Sequence, residues 1–261
     1  MSVKEKMTAI ADNIRDKTGG AEALTLDQMA SGVNEVYGAG KKAEYNEFWN
    51  NFNYGQYAFA GQGWNKDTFK PNKDFTVNSY CFFYHNWLHE AYDLAEHIEK
   101  LGINLKFGSN SDTQTFRMAW LTRIPECDFS GVSGVFDRVF ASTSGSPLVT
   151  IDKVILPPEG NITSFNGAFD SCSKLKNIVL EGVLDKSISF SACPLSVESM
   201  KSIISCLKDY TGTTSEHTYT LTFKTSVFNA LEAEGATAEY NGAECTWAEL
   251  IDNKKWNLTL A

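Results

Sequence analysis

The apolar positions in the middle of the chain recur on a long grid. Leu121/Ile124, Leu148/Ile151 and Leu175/Ile178 repeat a Leu-x-x-Ile pattern 27 residues apart, and Phe129, Leu156 and Val183 follow each leucine by eight places. Phe116, Phe140, Phe169 and Phe190 precede Leu121, Leu148, Leu175 and Leu195 by five to eight residues. Self-similarity at a period of roughly 20 to 50 residues marks stacked units, none of which can bury its apolar face alone. Alternation predicts strands over 103–107, 124–129, 151–156 and 178–183, paired in parallel on successive coils. Stretches rich in Ser, Gly and Asn at 108–113, 130–134, 141–146 and 159–167 are the expected turns.

On either side the period changes. Residues 1–38 predict two short helices: Ser2 with Glu5 and Thr25 with Gln28 are capping-box pairs, and Met7, Ile10 and Ile14 form a stripe ended by Gly19-Gly20. Helices this short need a docking partner, because nucleation costs more than so few turns return. Tyr45, Phe48, Trp49 and Phe52 place aromatics on one helical face of 41–53, whereas 54–79 reads as irregular, partly extended chain. Phe83 to Leu88 echoes Phe116 to Leu121, with a helix over 88–101 filling the longer interval. After Leu195 the period is lost. Ser196 caps a helix carrying Met200, Ile203, Ile204 and Leu207 that ends near Tyr210-Thr-Gly212. A strand through Tyr219, Leu221 and Phe223, a helix near 227–231, a helix capped by Thr246 and a strand through Trp256, Leu258 and Leu260 complete a non-repeating end. Such an end seals the core and the strand edge of the last coil.

Composition narrows the function. Aromatics at 13% suit an irregular stack filled by large rings. A net charge of −9 is what solubility asks for, and argues against a nucleic-acid surface. The start, Met1-Ser-Val-Lys-Glu-Lys, has no signal-peptide core, and no stretch approaches the roughly 18 apolar residues of a membrane span. The expected location is the cytoplasm in which the chain is made, or a particle that leaves it by assembly and lysis. Six cysteines without a Cys-x-x-Cys pair read as reduced fillers, with Cys172 and Cys193 in equivalent places after Phe169 and Phe190.

Two segments resemble known families. Ile10-Ala-Asp-Asn-Ile-Arg-Asp-Lys-Thr-Gly19 followed by Leu24-Thr-Leu-Asp-Gln-Met-Ala30 is similar to the amino-terminal segment of tail-associated structural proteins in phages and prophages of gut Firmicutes. Gly167-Ala-Phe169-Asp-Ser-Cys172-Ser-Lys-Leu175-Lys-Asn-Ile178 resembles the repeat unit of BspA-type leucine-rich-repeat proteins. Pro194 to Met200, Thr218 to Leu221 and Lys255 to Leu258 look like the segment that closes such repeats. The Phe140–Leu148 link is longer than the family pattern, and the Phe116 unit lacks its cysteine.

The resemblance implies an α+β protein: an irregular leucine-rich-repeat-like solenoid of short parallel strands, with amino-terminal helices and an α/β carboxyl-terminal cap. The expected organisation is a docking segment at 1–53, an irregular segment with a first repeat-like unit at 54–115, the solenoid at 116–195 and the cap at 196–261. It also implies surface recognition rather than catalysis, and no cofactor. The expected protein is a non-enzymatic virion or tail component that recognises a host surface component, in one version a glycan. A purely architectural virion role and a carbohydrate-active enzyme are the alternatives. Expected partners are other virion proteins through 1–53, a host cell-surface component and further copies of the chain, a trimer being one arrangement; nucleic acid and membrane insertion are not expected.

Candidate chemistry is sparse. Trp64, Tyr84, Trp87 and Trp120, beside Asn and Asp in expected turns, are the candidate ligand-binding residues, with turn packing as the alternative. His85 and His89 are spaced like a zinc pair, with His97, Glu90 and Asp93 nearby, yet no third ligand has a clear place. Asp93, Glu96 and Glu99 fall along one helix, whereas glycoside hydrolysis needs carboxyls roughly 5 to 9 Å apart across a cleft. Neither the Ser133 nor the Ser142–Ser144 stretch forms a nucleophile elbow, and Gly61-Gln-Gly63 lacks the rest of a phosphate loop. No catalytic or metal-binding residue is therefore assigned.

Overall fold

The computed structural model describes Asp12, Glu47, Phe48, Asn50, Ala58, Phe59, Cys81, Phe82 and residues 69–78, 92–107, 114–142 and 146–261. The chain divides into two compact units, Met1–Phe52 and Asn53–Ala261. In the first, Asp12, Glu47, Phe48 and Asn50 are helical, and Phe48 of the aromatic stripe is 51% exposed. The other expectations for 1–53 lie outside the described residues.

The second unit is mixed α/β, with short strands that pair mainly in parallel. In chain order it runs β1 (Phe75–Val77), β2 (Tyr92–Asp93), α1 (Leu94–Leu101), β3 (Leu105–Phe107), β4 (Leu121–Ile124), β5 (Cys127–Asp128), β6 (Gly134–Val135) and β7 (Thr150–Ile155). It continues with β8 (Ile162–Ser164), β9 (Asn177–Glu181), β10 (Ile188–Phe190), α2 (Val197–Ser205), β11 (Thr220–Phe223) and α3 (Thr225–Ala233). A hairpin of β12 (Ala238–Tyr240) and β13 (Ala243–Cys245), then α4 (Trp247–Asn253) and β14 (Asn257–Leu260), close the chain.

The 27-residue grid is a strand register. Ile124 pairs with Ile151 and Ile151 with Ile178, while Leu121, Leu148 and Leu175 are all buried. Pro125 lacks an N–H, and the strand expected over 124–129 is accordingly split into β4 and β5, both against β7. Between Ile151 and Val154 the register to β9 slips, so that Ile155 meets Glu181. Leu156 consequently faces Gly182, where a Cβ would lie 3.1 Å from its own Cβ, and Val183, expected inside, is 37% exposed.

The first rung differs from expectation. β3 pairs with β1, and the strand beside β4 is β2. Asp74 accepts the Asn104 N–H at 2.8 Å, which ties the start of the β3 segment to β1. Asp93 is extended and its carboxylate accepts the Glu96 N–H at 2.8 Å, so α1 begins at Leu94 and not near residue 88. Two of the stretches expected as turns, 130–134 and 159–167, also contribute a second parallel pair, β6 with β8.

The phenylalanines make one continuous stack. Phe59, Phe82, Phe116, Phe140, Phe169, Phe190, Phe223 and Phe228 follow one another with centroids 4.6 to 6.0 Å apart and planes within 29°. The ring that stacks on Phe116 is Phe82, where the sequence echo pointed to Phe83. Each aromatic contact contributes about 0.5–1.5 kcal/mol beyond its buried area. The Cys172 thiol donates to the Phe140 carbonyl at 3.2 Å and that of Cys193 to Phe169 at 3.8 Å, so both cysteines are buried fillers between rings. The hydrogen bond with the neighbouring Cys193 thiol, and then burial, push the Cys172 thiol well above its usual pKa.

Helix α2 takes the place of the next strand beside β9. Ser199 Oγ accepts the Ile178 N–H at 2.9 Å and donates to Lys176 O, while Ser202 Oγ accepts the Leu180 N–H at 2.9 Å. Two hydroxyls one helical turn apart therefore satisfy an edge that would otherwise be buried unpaired. α2 stops at Ser205, before the expected Tyr210, and Lys254 Nζ donates to the carbonyls of Ile204, Ser205 and Leu207. Burial lowers the Lys254 pKa. Sheet β10–β11–β14 is wholly parallel, with Leu221, Phe223 and Trp256 beneath it.

Candidate functional site

The candidate site is a groove of about 330 Å³ where strand pairing is interrupted. β8 belongs to the two-stranded sheet with β6, and β10 to the sheet with β11 and β14; among the described residues no backbone hydrogen bond joins β8 to β10. Earlier passes of the chain are bonded: Phe116 N–H donates to Val139 O, and Phe140 N–H to Ala168 O. Phe140 and Phe169 are 29 residues apart, Phe169 and Phe190 only 21. The shorter pass keeps the ring stack, with centroids at 4.6 Å, but leaves the pairing with β8 unmade.

Residues 163–167 form one wall of the groove and 186–189 the other, with Tyr219, Thr220 and Thr222 completing it. The first wall is fixed from behind: Thr163 Oγ1 donates to Gly134 O at 2.9 Å, and Ser164 Oγ to Asp137 Oδ1 at 2.7 Å. In the second, Ser187 Oγ accepts the Thr220 N–H at 3.0 Å. Strand alternation sets the facing, with Ile188, Phe190, Leu221 and Phe223 buried and Ser189, Thr220 and Thr222 half-buried on the other side. Ser189, Thr222 and Thr259 share one register row. The side chains of Asn166, Thr220 and Thr222 and the Tyr219 hydroxyl have no hydrogen-bond partner among the described residues.

Lys186 is the only charged side chain lining the groove among the described residues. Its Nζ lies 3.1 Å from both Asp185 O and Asp185 Oδ2, and 5.3 Å from the centre of the Tyr219 ring. Asp185 is buried behind the wall and also accepts the Gly160 N–H at 2.8 Å. The Tyr219 ring is backed by Tyr210 and Trp256, with centroids at 5.1 and 5.9 Å. An ammonium has three donors, so one remains after Asp185. The site thus offers a preset cation and several hydroxyls that both donate and accept.

Of the candidate ligand-binding residues, Trp64, Tyr84 and Trp87 lie outside the described residues. Trp120 is half-buried immediately before β4 and does not line the groove. His85, His89, Glu90, Gly61 and Gly63 also fall outside the described residues. His97 Nε2 donates to Phe69 O at 2.6 Å, Asp93 caps α1, and Glu96 pairs with Lys100 at 2.6 Å. No group of His, Cys, Asp or Glu fit to hold a metal occurs among the described residues. Nor is any helix among them long and apolar enough to cross a membrane. Sequence reasoning passed over the groove because Tyr219 to Phe223 reads as a cap strand. Its signal was the polar member of each alternating pair, Ser187/Ser189 and Thr220/Thr222.

Comparison of the chain with protein-family models, curated proteins and solved structures finds no significant match.

Proposed function

We propose that the chain is a non-enzymatic tail or virion-surface protein of a phage or prophage, and that its repeat body recognises a component of the host surface. In this reading residues 116–195 are a leucine-rich-repeat-like solenoid, 196–261 its cap and 1–53 the segment that docks it to other virion proteins. The matched Ile124–Ile151–Ile178 register and the phenylalanine stack support the solenoid. The open groove with its unengaged hydroxyls carries the recognition reading. A groove fixed by strands loses little ordering entropy when it is filled, which favours binding.

The test is adsorption of the fluorescently labelled full chain to gut Firmicutes cells. Saturable binding that periodate oxidation of the cell surface abolishes is the expected result. No adsorption to any strain, together with tight association with tail proteins alone, would leave a purely architectural role.

A further inference from the structure

We infer that the groove between β8 and β10 is a binding site for an acidic glycan, with Lys186 holding a carboxylate or phosphate substituent and the threonine row holding sugar hydroxyls. The inference rests on the recognition reading above and adds to it a place and a ligand class.

Asn166, Thr220, Thr222 and the Tyr219 hydroxyl, which have no side-chain hydrogen-bond partner among the described residues, are short or rigid groups that lose little rotamer entropy on contact. Thr220 and Thr222 are successive outward residues of β11, roughly 6.6 Å apart, with Tyr219 just before that strand and Asn166 in the turn after β8. Such a lattice of donor–acceptor hydroxyls suits a ligand that itself carries many hydroxyls. A peptide would ask for pockets for its apolar side chains, but Phe165 and Ile188, the large apolar residues here, are only 3% and 4% exposed and lie beneath the surface. The chain as a whole carries −9, yet among the described residues that line the groove the charged one is a cation, Lys186, paired at 3.1 Å with the buried Asp185. Asp185 and the Tyr219 ring hold that ammonium in place, and the one donor left after Asp185 is the group that makes a charge-assisted hydrogen bond to a ligand anion.

The experiment uses the full chain on an array of immobilised oligosaccharides in matched neutral, uronate and phosphate-substituted forms. Acidic members are expected to bind about tenfold more tightly than their neutral partners. The carboxylate and phosphate arms report which anion the site takes. Lys186→Gln should remove the acidic preference, so that acidic and neutral members of a pair bind alike. Thr220→Val with Thr222→Val, which preserves side-chain shape on the outward face, should weaken both classes together by about tenfold or more. Unchanged thermal unfolding of these variants would show that the groove, not the fold, was altered. Failure of every sugar to bind overturns the inference, as does equal binding by native protein and variants, or capture by the cell that protease removes and periodate does not. If the native chain adsorbs to cells and the groove variants adsorb equally, host recognition stands and the groove assignment falls. If it adsorbs to no cell, the recognition reading falls, and the array alone decides the groove.

Discussion

Single residues decide where the apolar grid stops. Gly182 has a φ of +112°, a region L side chains rarely adopt, and its missing Cβ leaves room for Leu156. Gly182→Ala is expected to cost about 1–3 kcal/mol in urea denaturation, since it adds backbone strain and a tight contact together. An unchanged midpoint would mean that the slip between β7 and β9 is not fixed here. His97 supplies a pH test. Burial holds its imidazole below the usual pKa, against the Phe69 carbonyl that raises it; Lys70 and Lys100 lower it further, and Glu96 raises it. The folded protein thus binds this proton more weakly than the unfolded chain. The stability His97 contributes is therefore complete above its ordinary value of 6.5 and is lost as pH falls through the lower folded value. Melting temperature should fall on acidification below about pH 6.5, and His97→Gln should flatten that part of the profile.

Elements were legible where local chemistry fixes them. Ser196 and Thr246 cap α2 and α4 as expected, Thr246 forming a capping box with Glu249. The hairpin β12–β13 was missed, although Asn241-Gly242, both at positive φ, is a standard signal for it. No capping rule announced the second task of α2, the sealing of β9 by its serines. Ser199→Ala and Ser202→Ala each strip a partner from a strand N–H and should each lower stability by about 1–3 kcal/mol. Ser205→Ala, whose hydroxyl donates to Lys201 O at an exposed site, should change stability little. Equal effects at all three serines would refute the edge-sealing role.

For the whole molecule, the phenylalanine stack runs from Phe59 to Phe228 although the intervals between its rings vary from 5 to 34 residues. Regular spacing in space thus coexists with irregular spacing in sequence, because loops of different length can return the chain to the same ring. That freedom also opened the groove, where a short pass satisfied the stack and left the facing edges of β8 and β10 unbonded to each other. Two amino-terminal helices as short as the sequence predicts would need a docking partner, and we propose that this is a further copy of the chain. Light scattering of the full chain should return a multiple of the monomer mass; a monomer would count against association through 1–53.

The sequence by itself determined the Leu-x-x-Ile register, the caps of α2 and α4 and the inward faces of β9 and β11, since these depend on residues a few places apart and on a repeated length. Only the tertiary structure decided that β3 pairs with β1, that Phe82 joins the stack and that β8 and β10 stay apart. Those choices set hydrogen bonds and ring contacts against one another across distant segments. No local pattern records which of them prevails.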